Sequence, residues 1–214
     1  MVALVVPVGH FAGPMYTSTE AEVPESFEVR FRDGVFSLSA EEYAVWAVSH
    51  VDPEKVSKQP QSRPVVETAA KTAGVDEPAP IFDSLVEDGL LVSVMPTGNS
   101  ARTFAENHQL VPLALGLGNS AQNPAEFQIG LPNAPRVSVG YDVYHMWLFC
   151  HRQPTLWDAI STIAKEAEEA NAEDPGPDGE KIELVSDPDV LLKALLAALP
   201  VLISTSCVFI DRRP

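Results

Sequence analysis

Cys150 and His151 stand side by side in Trp147-Leu-Phe-Cys-His151, a thiol next to an imidazole. A nucleophilic cysteine needs a base within hydrogen-bond reach. Neighbouring residues of a helix project about 100° apart, so these two do not meet as nucleophile and base. With Phe149 on its other side, Cys150 reads as a core residue. The histidines, His10, His50, His108, His145 and His151, keep no spacing to each other or to Cys150 and Cys207 that would close a tetrahedral metal site. Gly116-Leu-Gly118-Asn-Ser-Ala121 has the letters of a dinucleotide-binding turn. That turn works only where a helix N-terminus follows at once to receive the pyrophosphate. Here Gln122-Asn-Pro124 follows, then a strand pattern. No two carboxylates sit at a spacing that suggests acid–base work. The chain reads as non-enzymatic, with no catalytic residue, cofactor or metal.

The elements that would position a binding surface show an internal repeat. Phe127-Gln-Ile129-Gly-Leu131 alternates apolar residues as Phe27-Glu-Val29-Arg-Phe31 does. After a turn, Val137-Ser-Val139 matches Phe36-Ser-Leu38. Tyr144, Trp147 and His151 then match Tyr43, Trp46 and His50, the offset passing from 100 to 101 within the turn. Insertions belong in turns, so the chain reads as two copies of one module: residues 1–95, a linker over 96–109, and residues 110–214. Leu4, Val6, Val8 and Gly9 open the first copy. Leu113, Leu115, Leu117 and Gly118, within an expected strand over 111–117, open the second.

The period of apolar positions places the remaining elements. Residues 10–26 read as loop, followed by a hairpin turning at Asp33-Gly34. Ser39-Ala-Glu-Glu42 is a capping box, with Leu38 and Tyr43 as its hydrophobic staple. Helices follow over 64–73 and 80–87, then a strand over 90–94. Residues 95–109 have loop composition with a helical turn near 101–108. In the second copy Thr155-x-x-Asp158 caps a helix. That helix runs out into an acidic Pro/Gly run over 166–180, read as a mobile loop. A last helix starts at Asp187-Pro188 and closes at Pro200, and a strand over 206–210 ends the pattern. His50 and His151, each one turn past a tryptophan, are expected to close their helix ends on free carbonyls. Tyr43/Trp46 and Tyr144/Trp147 read as core, with a pocket lining as the alternative.

Each copy runs strand, hairpin, helix, helix, helix, strand. The Trp147 helix, the Pro154-Thr-Leu-Trp-Asp-Ala-Ile160 start, the Asp187-Pro-Asp-Val-Leu-Leu192 helix and a closing strand carry this order best. It resembles the winged helix-turn-helix and, more weakly, the PqqD-type peptide-recognition element. The resemblance implies an α+β fold of two winged-helix-like modules.

Thirty acids against 14 bases give a formal charge of −16. Such a surface repels phosphate polyanions and anionic membranes and favours neutral or basic partners. A winged helix reads DNA mostly through its third helix, with bases meeting phosphates. Ile81-Phe-Asp83-Ser-Leu-Val-Glu87-Asp88 holds no base and three acids, and the later helix offers Lys193 in an apolar run. Two cysteines in apolar runs, the lack of an apolar run of about 18 residues and an N-terminus without a basic region all point to the cytoplasm. The expected function is a protein- or peptide-binding adaptor or complex subunit, self-association left open, with a DNA-binding regulator as the alternative. The residues expected to meet the partner are Phe27, Val29, Phe31, Phe127, Ile129, Leu131 and Trp157. Trp157 has no counterpart in the first copy and reads as an exposed anchor or as core.

Overall fold

The computed structural model describes residues 2–52, 60–172 and 183–212. Among them the chain is mixed α+β, with seven α-helices and four small antiparallel sheets. Strand β1 (Leu4–Pro7) pairs with β5 (Leu91–Val94). Strands β2 (His10–Met15), β3 (Ser26–Phe31) and β4 (Gly34–Leu38) form a sheet in that order. Helices α1 (Ala40–Val48), α2 (Arg63–Thr72) and α3 (Pro78–Glu87) separate this sheet from β5. After α4 (Asn99–Asn107), β6 (His108–Pro112) pairs with β10 (Val208–Arg212). Strands β7 (Leu115–Ser120), β8 (Asn123–Leu131) and β9 (Ala134–Val139) form the other three-stranded sheet. Helix α5 (Tyr141–Phe149), a 3-10 turn over Cys150–Arg152, α6 (Leu156–Ala172) and α7 (Pro188–Ser204) lead to β10.

Local chemistry accounts for the helix starts. Glu42 N–H donates to Ser39 Oγ at 3.3 Å, and Ser39 N–H donates to Glu42 Oε2 at 2.8 Å, so the capping box is closed. Asp158 N–H donates to Thr155 Oγ1 at 3.0 Å. Asp187 accepts from the N–H groups of Asp189 and Val190, with Pro188 in the first turn. Two buried tryptophans tie α1 and α5 to strand ends. Trp46 Nε1 donates to the Val8 carbonyl, and Trp147 Nε1 donates to the Cys207 carbonyl, each at 3.1 Å. The core runs through both ends of the chain, from Val5, Val29 and Leu85 to Leu110, Ile160, Leu195 and Ile210.

Several expectations change. Residues 10–15 are a strand rather than loop. Gly13 and Pro14 interrupt the alternation, and β2 tolerates them because it is a sheet edge and bulges between Phe11 and Gly13. The first hairpin turns at Arg32-Asp33, one residue early, since Phe31 pairs with Gly34. Arg32 takes the left-handed conformation, φ 55°, and its N–H donates to Asp211 Oδ1 at 2.8 Å. A contact from the far end of the chain thus holds a turn that Asp-Gly was expected to set. The strand expected over 111–117 is two strands. Leu110 and Val111 pair with Ile210 and Phe209 in β6, while Leu115 and Leu117 belong to β7. An unbroken apolar run carries no period, so pairing with β10 decided the boundary. Residues 99–107 form a full helix that buries Ala101, Phe104 and Ala105. Helix α7 continues through Pro200 to Ser204, since burial of Leu199, Leu202 and Ile203 outweighs the lost hydrogen bond. Residues 166–172 of the expected acidic loop extend α6; 173–180 lie outside the described residues. No described helix is long and apolar enough to cross a membrane.

Candidate functional site

A cleft of about 410 Å³ opens where the start of β2 meets α1, the end of α7 and β10. One wall is aromatic. Tyr43 stacks on Phe11 with centroids 4.9 Å apart, and behind it lies flat on Phe27 at 4.3 Å. Trp46 continues the wall, and His50 meets its ring edge-on at 4.4 Å. The opposite wall is Leu113, Ile203, Val208 and Phe209. The volume lies within the range of small-ligand sites.

Helical spacing puts Tyr43 and Ala47 on the side of α1 that faces the cleft, and His50 follows two residues past its end. Gly9 lets β2 approach. Its φ is +96°, and a Cβ there would stand 2.7 Å from Val29 Cγ1. Gly9 N–H donates to the Ile210 carbonyl at 2.7 Å, which joins β2 to β10 at the cleft floor. His50 closes its helix as expected, with Nδ1 3.2 Å from the Trp46 carbonyl. Burial lowers the pKa of His50 and of His10, and Arg30 lowers that of His10 further. With lowered pKa values both rings are largely neutral at pH 7, and none of the described cleft-lining residues is acidic.

The expected partner-binding residues are dispersed. Val29, Phe31 and Ile129 are buried, so their side chains are core and offer a partner no surface. Strands β3 and β8, which carry the six hairpin residues, are the central strands of their sheets, so their backbones are paired on both sides. Phe27 supports Tyr43 from behind, and Phe127 packs 4.8 Å from Tyr144. Leu131 is exposed. Trp157 is half-buried, with the Arg102 guanidinium 3.5 Å over its ring, so one face is covered. Sequence reasoning favoured core for Tyr43 and Trp46, with a pocket lining as the alternative, and a helix-closing role for His50; it did not place His10, Phe11, Leu113, Ile203 and Phe209 at a site. Phe11 and His10 fell in the supposed loop, and the rest lie far from α1 in sequence.

Other sequence candidates resolve locally. His151 does not repeat the role of His50. It is exposed on the 3-10 turn, and its backbone carbonyl accepts from Gln109 Nε2. Cys150 is fully buried, and burial pushes its thiol up to about 12. Gly118 lies inside β7 at a bulge, and β8 rather than a helix follows. Among the described residues no group of three His, Cys, Asp or Glu side chains could hold a metal ion.

The described arginines are largely committed within the protein. Arg63 bonds Glu67 and, through both terminal nitrogens, Asp83. Arg102 bonds Glu106, and Arg136 donates to the carbonyls of Thr205 and Ser206. A second concavity of about 270 Å³ lies between α5 and α6, but Glu166 lines it. No protein-family model matches the chain, and no curated protein or solved structure matches it significantly.

Proposed function

We propose that the chain is a non-enzymatic peptide- or protein-binding module, built from two copies of a winged-helix-like unit, whose recognition site is the cleft beside β2. What carries this reading is an aromatic cleft bordering a strand that has only one sheet partner. Strand β2 pairs with β3 on one side and is the edge of its sheet. Among the described residues no second strand pairs with its outer edge. A peptide laid along that edge gains main-chain hydrogen bonds, and one of its side chains enters the cleft for selectivity.

The two-copy reading draws support from matched details. Each half has an outer strand pair, β1–β5 or β6–β10, and a three-stranded sheet. Gly13 and Gly118 occupy corresponding bulges with positive φ. In this correspondence Phe11 matches Gly116, since they pair with Val29 and Ile129. A Cβ on Gly116 would collide with the Tyr144 hydroxyl. The second half therefore has Tyr144 lying where the first half has Phe11.

The test is selection from a displayed random-peptide library by the wild-type chain and by Ala47→Phe. Ala47 lines the cleft without being fully buried, so a phenyl ring there fills the space. Enriched peptides sharing an apolar residue, lost with Ala47→Phe at unchanged circular dichroism, support the reading. Enrichment indifferent to Ala47→Phe, or a salt-sensitive shift of duplex DNA by the pure chain, refutes it.

A further inference from the structure

Charge is unevenly placed around this cleft. The chain carries 30 acids against 14 bases, yet among the described residues no acid lines the cleft. Close by, the Arg30 guanidinium is anchored on one carboxylate. Asp211, with 14% of its side chain exposed, accepts from Arg30 Nη1 at 3.2 Å. It also accepts from the backbone N–H groups of Arg32 and Arg212, at 2.8 and 3.0 Å. Asp211 thus holds one guanidinium, that of Arg30, and two backbone amides.

Arg30 is one ring away from the cleft. Its partner across the sheet is His10. Its guanidinium lies 4.8 Å over the ring of Phe209, and the His10 ring lies 5.0 Å from the same ring. Both His10 and Phe209 line the cleft. Among the described residues the hydrogen bonds of Arg30 leave from Nη1, one to Asp211 and one to the Arg32 carbonyl. Its side chain is 41% exposed, so Nε and Nη2 can turn to a ligand.

From this juxtaposition we infer that the cleft selects a peptide that ends in an aromatic residue, its terminal carboxylate next to the ring. The ring enters between the aromatic wall of Tyr43 and Trp46 and the aliphatic wall of Ile203 and Val208. The carboxylate reaches the Arg30 guanidinium, whose planar fork suits it. Elsewhere the surface charge of −16 repels such a segment. The attraction is therefore local, and it discriminates by position as well as by charge.

This inference rests on the peptide-binding reading, and one experiment separates the two. Three probes share an indole ring and differ in charge: N-acetyltryptophan, N-acetyltryptophanamide and tryptamine. Each is titrated into the full chain at about pH 7.5 and about 0.1 M salt, where His10 and His50 are neutral. Binding is followed by NMR shifts of Ala47, Leu113 and Ile203. The anion is expected to bind about three- to tenfold more tightly than the amide, as one partly screened charge pair gives, and tryptamine most weakly. Arg30→Gln removes the preference for the anion over the amide, whereas Arg30→Lys, which keeps the charge but not the fork, keeps part of it. Equal affinities for anion and amide, or a preference that survives Arg30→Gln, overturn the assignment to Arg30 and leave an apolar cleft. If no probe moves the cleft resonances, the site itself is refuted and this inference with it.

Discussion

His108 opens β6, and its imidazole is buried, with 5% of the residue exposed. The ring stacks on Phe104 with centroids 4.5 Å apart. Its Nδ1–H donates to the Phe104 carbonyl at 2.8 Å, which leaves Nε2 as the unprotonated nitrogen. Burial lowers its pKa from 6.5 to about 4, opposed by the Phe104 hydrogen bond and reinforced by Arg212 and Arg32. The folded state therefore binds fewer protons than the unfolded state below pH 6.5. Above that value His108 carries no proton in either state and adds no pH dependence. As the pH falls through 6.5 toward 4, stability is lost at about 1.4 kcal/mol per pH unit. Linkage gives a loss of about 2.5 kcal/mol from this residue between about pH 7.5 and pH 4.5.

The measurement is urea unfolding of the wild-type chain and of His108→Leu at both pH values. Leucine also removes the hydrogen bond to Phe104, at a cost of about 1 kcal/mol that does not change with pH. The stability difference between the two chains should therefore shift by about 2.5 kcal/mol in favour of the variant at the lower pH. Parallel pH profiles would refute the argument, because they would mean that the imidazole is protonated as readily inside the fold as outside it.

Arg32→Gly should leave stability unchanged or raise it by up to about 1 kcal/mol in urea unfolding, because glycine takes a positive φ without strain and keeps the N–H that Asp211 accepts. Asp211→Asn should cost about 1–3 kcal/mol by the same measurement, since it removes the charge that pairs with Arg30 and accepts from the backbone N–H groups of Arg32 and Arg212. Gly116→Ala should destabilise by about 1–3 kcal/mol through its collision with the Tyr144 hydroxyl, and Tyr144→Phe in the same chain should recover part of the loss. Cys150 and Cys207 are both buried with raised pKa values, so neither should react with a thiol reagent at about pH 8 until denaturant is added.

Several short-range signals were read correctly. The Ser39–Glu42 box, the Thr155 and Asp187 caps and the helix that carries Trp46 each depend on residues within a few positions of one another. The readings that shifted depend on partners far away in sequence. Pro200 is kept in a helix by the burial of its neighbours. Arg32 is kept left-handed by Asp211. The apolar run from Leu110 to Leu115 is divided by the strand it pairs with.

The candidate site separates the same way. The order of residues alone determined the amphipathic helix that presents Tyr43, Trp46 and His50, because a 3.6-residue period sets which side chains share a face. It also determined the acid excess and the core character of Cys150. Only the tertiary structure decided that β2 exists as an edge strand, and that Phe11 stacks on Tyr43. The same holds for the wall opposite, where Ile203, Val208 and Phe209 come from the end of the chain. The physical reason is that a cleft is bounded by surfaces from separate elements. Periodicity says which face of each element is apolar, but not which two faces stop short of closing on one another.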